Sequence, residues 1–334
     1  MSNKFRNLIL LTMFLAFVVI VLGAYTRLSD AGLGCPDWPG CYGVLLGVPD
    51  TEADIAKANT EFTRAVEVGK AWKEMIHRYF AGTLGILIFI IALILFRKDK
   101  SGERHVVFGV ILASLLIFQA LLGMWTVTWQ LKPIAVMGHL LGGFAVFVLL
   151  GWQWLRTLSF PQLQNLQLSR GLFNLGILAT VVLICQIALG GWVSSNYAAL
   201  ACTDFPTCQK QWWPDMNFKE AFVLWRGLGV DYEFGVLEHP ARVAIHITHR
   251  IGAVVTAGVI LLYVLQLWRQ AIGNGTLRAI SGLILIGLVV QVMLGIFNVV
   301  LHLPLANAVL HNAVALVLLF SLVTSAYMIG YTRK

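Results

Sequence analysis

Eight stretches of the chain are apolar on every side, with neither the alternation of a half-buried strand nor the polar stripe of a surface helix. They run over Leu8–Tyr25, Met75–Phe96, Val106–Thr128, Ile134–Leu155, Leu172–Val193, Val243–Trp268, Ile280–Leu301 and Ala306–Tyr327. Crossing a bilayer core takes about 20 such residues as a helix. In lipid the backbone must satisfy its own polar groups, so runs of this length predict membrane helices. A β-barrel would show roughly ten-residue segments of alternating polarity instead. The first run follows Lys4 and Arg6, as a signal peptide would. It is too long for one and lacks a small-x-small cleavage site, so it is read as a retained helix. The fold class expected is therefore an all-α integral membrane protein. Between the runs, Arg27 to Lys73 and Ser194 to Arg242 are long, and the connections around Lys132 and Leu303 are short.

Composition agrees. Of 334 residues, 58% are hydrophobic and 12% charged, and the mean hydropathy is +0.79. A soluble domain carries about 25% charged residues, so a cytosolic enzyme, a disordered chain and a disulfide mini-protein are excluded. The net charge of +8 would suggest nucleic acid in a soluble protein, whereas in a membrane protein it must first be sorted by side. An even number of spans places both termini together. With the N-terminus inside, the inner segments hold twelve Lys and Arg against Asp99 and Glu103, and the outer segments twelve against fourteen acids. The inner excess predicts N-in and C-in, with long loops outside and no nucleic-acid partner.

The two halves of the sequence repeat. Leu22–Cys41 lies over Leu189–Cys208 at an offset of 167, with eight of twenty positions identical. Further on the offset is 172, setting His77 on His249, Gln119 on Gln291, Gly123 on Gly295 and His139 on His311. The expectation is two pseudo-symmetric four-helix bundles in tandem, residues 1–165 and 166–334. A smaller echo, Q-x-x-L-G-x-aromatic, recurs at Gln119–Trp125, Gln186–Trp192 and Gln291–Phe297. Close helix packing at small residues accounts for it, with a lining role for the glutamines as the alternative.

Four histidines occupy matching places: His77, His139, His249 and His311, each expected in the first turn or two of its helix at the outer end. An ionisable side chain within a membrane segment is costly and marks function. Two imidazoles per half suit both axial positions of a haem better than a zinc site, which wants three or four ligands. Beside them the halves differ. Glu74 stands three residues before His77, on the same helix face, and His246 stands before His249. One carboxylate beside one haem suggests a reaction there, with Glu74 as proton acceptor or stabiliser of a cation. A simple ion pair with Lys70 or Arg78 is the alternative. Arg78 and Arg250 are candidates for pairing with haem propionates, or for snorkelling to the interface.

Cys35 and Cys41, and Cys202 and Cys208, form two C-x5-C pairs in corresponding outer loops. Exported loops permit disulfides, and one bridge per loop is expected, with redox activity of either pair left open. Cys185, mid-helix, reads as a small buried residue.

The strings EMIHR at Glu74–Arg78, GHLLGG at Gly138–Gly143, THR at Thr248–Arg250 and LHNAVALVLL at Leu310–Leu319 resemble the haem A synthase family. So does GAYTRLSDAGLGCPDWPGC after the first helix. The resemblance covers nearly the whole chain. It implies an oxidoreductase acting on a CH group, oxidising the C8 methyl of haem O to the formyl of haem A for terminal oxidases. It further implies substrate haem between His77 and His139, Glu74 in catalysis, and a haem b cofactor between His249 and His311. Haem O and haem A are then the small-molecule partners. Haem O synthase and oxidase assembly factors are expected protein partners, with an electron acceptor the sequence does not identify and a homo-oligomer left open. The site implied is the bacterial inner membrane, with the haems toward the periplasmic face. The runner-up is a di-haem b-type cytochrome carrying electrons from quinol.

Overall fold

The structure is a computed structural model that describes residues 3–97, 105–163 and 166–332. The inner charges Lys98, Asp99, Lys100, Glu103, Arg104, Arg333 and Lys334, and the expected domain boundary at residue 165, lie outside the described residues. Among the described residues the protein is helical and has no β-strand. Eight helices are long and apolar enough to cross a membrane: α1 (Asn3–Leu28), α3 (Val68–Leu95), α4 (Val106–Thr128), α5 (Pro133–Leu155), α6 (Arg170–Ser195), α8 (His239–Gln270), α9 (Gly275–Val300) and α10 (Leu305–Tyr331). Each contains its expected apolar run to within a residue or so. Two short helices that hydropathy did not show sit in the long loops, α2 (Glu52–Glu61) and α7 (Phe218–Ala221). The starts follow ordinary capping: Thr51 accepts the Asp54 N–H, Ser169 that of Leu172 and Asn274 that of Leu277, each satisfying an orphan donor of a first turn.

α3 and α8 begin earlier than the apolar runs, because Val68–Lys73 and His239–Arg242 continue the helix in polar sequence. His77 is therefore the tenth residue of α3 and His249 the eleventh of α8, deeper than the two turns expected. His139 and His311 are each the seventh residue of their helices, as expected.

The chain divides into two compact units, Met1–Phe147 with Val223–Val236, and Val148–Phe222 with Leu237–Lys334. In the first unit α1 packs on α3 and α3 on α4, and α5 meets α4 where Gln119 reaches His139. The segment Val223–Val236 is fastened to the same unit. The Lys132 ammonium bonds the Gly227 carbonyl and lies over the Trp225 ring, and Arg64 pairs with Glu233 at 2.6 Å. In the second unit α6 packs on α8, α8 on α9, α9 on α10 and α10 on α6, a closed ring. α10 is the most enclosed span, with small residues such as Ala308, Ala313, Ala315 and Ser321 on its buried faces. Small residues let membrane helices approach closely. The exposed Val107, Ile86 and Val254 are apolar surface that lipid, unlike water, accepts.

The repeat is visible in the backbone of the turns. α4 ends with Gln130 and Leu131 at φ 48° and 59°, and α9 with His302 and Leu303 at 56° and 61°. In the first turn the Leu131 N–H donates to the Thr126 carbonyl, and in the second the Leu303 N–H to that of Asn298, both at 2.8 Å. Likewise α1 closes at Asp30 (φ 50°) and α6 at Tyr197 (φ 51°), with Ala31 N–H on Thr26 and Ala198 N–H on Val193. Left-handed backbone costs a non-glycine residue about 1 kcal/mol. Here it lets the chain satisfy last-turn carbonyls.

Candidate functional site

Each of the four histidines lies with its ring against a glycine of another helix. A Cβ on Gly23 would fall 2.9 Å from Cε1 of His77, and one on Gly123, Gly190 or Gly295 would fall 3.2 Å from Cε1 of His139, His249 or His311. A side chain at any of these positions would push the imidazole aside, which is the physical reason for the glycine in the L-G-x-aromatic echo. The fourth example of that echo, Leu22-Gly23-Ala24-Tyr25 in α1, is not evident from the glutamine pattern because Val19 stands where the others have Gln.

The glutamines reach the histidines. Gln119 Nε2 donates to the His139 carbonyl at 2.8 Å, and Gln186 Nε2 to the His249 carbonyl at 2.9 Å. Gln186 Nε2 also lies 3.0 Å from His249 Nδ1, and Gln291 Nε2 lies 3.3 Å from His311 Nε2. Gly142 and Gly252 make room for two of these amides, since a Cβ on either would fall 2.3 Å from the Gln119 or Gln186 Oε1. Packing and a polar role are therefore both present in the echo.

Three residues before His77, Glu74 is 5% exposed. Its Oε2 accepts the Cys35 N–H at 2.9 Å and its Oε1 accepts from Arg78 at 2.6 Å. Lys70 pairs with Glu67 instead. His246 takes the corresponding place in the second unit, 4% exposed, its Nδ1 accepting the Cys202 N–H at 3.3 Å. Carboxylate and imidazole thus do the same job for the loop, and they differ in charge. The arginines are also matched. Arg78 donates to the carbonyls of Asp37, Pro39 and Gly40, and Arg250 to those of Cys202, Asp204 and Thr207. Both guanidinium groups are committed to loop backbone, a role that the sequence pattern did not suggest.

The two loops they hold are built alike. Cys35–Cys41 and Cys202–Cys208 are disulfides, as expected. Asp37 accepts the N–H groups of Tyr42 and Gly43, and Asp204 those of Gln209 and Lys210. The Thr207 hydroxyl, together with these N–H groups, holds the Asp204 carboxyl below its usual range. A carboxyl so depressed stabilises its loop at neutral pH, and that contribution is lost only in acid as it becomes protonated. Cys185 is exposed on α6 rather than buried, because its apolar helix face meets lipid.

His77 and His139 fall in one compact unit, and His249 and His311 in the other. Among the described residues no three His, Cys, Asp or Glu side chains converge as a bare-ion site would require. The buried Nδ1 atoms of His77, His139 and His311 accept no side-chain hydrogen bond. Paired imidazoles, glycines that keep their rings in place and apolar surroundings fit a haem.

A family model described as cytochrome oxidase assembly protein, COX15-CtaA, matches residues 6–323. A protein of Shewanella oneidensis named heme A synthase is 46% identical over 97% of this chain and 96% of its own. Proteins of the same name from Wolbachia pipientis and Caulobacter vibrioides are 25% and 26% identical, over 96% and 91% of this chain and 92% and 90% of theirs.

Proposed function

Because the chain belongs to the COX15-CtaA family of cytochrome oxidase assembly proteins, we propose that it is a haem A synthase, which oxidises the C8 methyl of haem O through the alcohol to the formyl group of haem A. The observation that carries this reading, beside the family, is the exchange of an acid for a base at corresponding positions that bond corresponding loops: Glu74 at His77 against His246 at His249. An electron carrier has no use for that exchange, and an enzyme with one reacting haem has.

In this reading His77 and His139 hold the substrate haem, and His249 and His311 hold haem b. Haem b, when bound, supplies one-electron transfer. Gly23 and Gly123 set the imidazoles of the first pair, and Gln119 ties down the segment carrying His139. Glu74 lies one turn from His77 on the same face. Its Oε1 accepts from Arg78 and its Oε2 from the Cys35 N–H. Oxidation of the C8 methyl to the formyl group removes four electrons, which would pass to an external acceptor, and Glu74 would take up a proton released at that carbon. Arg78 and the disulfide hold that carboxylate in place and close the loop over it. Domains 1–165 and 166–334 are assigned as the substrate half and the haem b half. In this reading the protein lies in the inner membrane, the Lys and Arg bias favours both termini inside, and the histidines near the helix ends on the long-loop side favour haems toward the outer face. Haem O synthase, which would supply the substrate, and oxidase assembly factors are the protein partners expected in this reading.

The protein purified from cells that make haem O but no haem A is expected to yield haem O, its hydroxylated form and haem A on extraction. Haem B alone would instead support the di-haem cytochrome.

A further inference from the structure

One segment leaves its own half of the sequence. Val223–Val236, from the second long loop, belongs to the first compact unit, and the second unit receives no segment of the first half in return. It is fastened at several points. Arg64 pairs with Glu233 and lies 3.6 Å from Asp231, and Lys132 holds Gly227 and Trp225. The Tyr232 N–H donates to the Gln130 carbonyl at 3.0 Å.

Tyr232 is the residue of this segment that becomes buried, at 3% exposure. It shares one apolar cluster with Leu33, Val127 and Leu131, against which Val136 and Val230 pack. Val127 stands four residues after Gly123, and Val136 three before His139. Both are thus one turn from the contact of that glycine with that imidazole, on the same faces and toward the end that carries the long loops. Leu33 stands two residues before Cys35, whose N–H holds Glu74. Tyr232 therefore lies at the long-loop end of the His77–His139 unit, between the His139 side and the loop bonded to Glu74. Its hydroxyl is buried and has no hydrogen-bond partner among the described residues. A buried polar group left unpaired is costly, and phenylalanine would fill the space without that cost.

The propionates are the charged acceptors of a haem, and a hydrogen bond to a carboxylate is of the strong kind. Resting on the haem sites assigned above, we propose that the Tyr232 hydroxyl binds a propionate of the substrate haem, so that the second half of the sequence supplies a residue of the first half's site. The C8 methyl shares its pyrrole ring with one propionate. The bond therefore holds the reacting edge of the porphyrin at the end of the unit where Glu74 lies.

The test is titration of the purified full-length protein, made in cells that produce haem B but no haem O, with haem O and with its dimethyl ester, followed by absorption. Tyr232→Phe keeps the ring and removes the hydroxyl alone. It is expected to weaken haem O binding about tenfold, the scale of a hydrogen bond to a charged group. Haem B at the second site and the melting temperature should not change, and the ester should bind this variant as it binds the unaltered protein. Undiminished haem O binding by Tyr232→Phe, or an equal loss with the ester, would overturn the proposal. Haem O binding that survives in His77→Ala/His139→Ala would instead overturn the site assignment beneath it.

Discussion

Protein carrying Glu74→Gln is expected to bind haem O and leave it unoxidised, with conversion to haem A lowered by at least about 100-fold, the usual scale for losing a positioned acid or base. Glutamine keeps the length of the side chain, and its carbonyl oxygen can still accept the Cys35 N–H. What disappears is the charge that Arg78 faces at 2.6 Å and the ability to take up a proton. The Arg78 bonds to the loop carbonyls remain, so the loop stays attached. Extraction of haems gives the conversion, and the absorption of the second site reports that the fold is intact. Normal haem A content with an intact second site would remove Glu74 from the mechanism.

His249→Ala is expected to empty the second site and leave the first occupied. Its imidazole is set by Gly190 on one side and Gln186 on the other, and no other histidine in that unit replaces it. His246 is already engaged with Cys202 and Arg250. His311→Ala should act in the same way. The expected readout is loss of the haem B fraction, about half of the bound haem when both sites are filled, with haem O retained. Loss of both haems together from a folded protein would argue against two independent pairs.

Much of this was legible in the sequence because membrane spans and tandem repeats both write long, regular signals. The offset of 172 that joins His77 to His249 also joins the left-handed turn at Gln130-Leu131 to that at His302-Leu303, and the offset of 167 joins Asp30 to Tyr197. Side-chain commitments were less legible. Arg78 and Arg250 have the composition of propionate partners, and the sequence did not show the bonds their guanidinium groups make to loop carbonyls brought close by folding. The glutamine bonds to histidine carbonyls were missed for the same reason, since a pattern on one helix does not say what the next helix offers. The early starts of α3 and α8 escaped hydropathy because their first turns are polar.

The central claim is that one pair of histidines holds the haem that is transformed and the other a haem that is not. The measurement that tests it most directly is the haem extracted from His77→Ala/His139→Ala, produced where haem O is available, beside that from the unaltered protein. The account predicts that haem O and haem A vanish from the double variant while haem B remains at its normal amount per chain. Haem A persisting in the double variant, or haem B disappearing from it while the protein stays folded, would contradict the account.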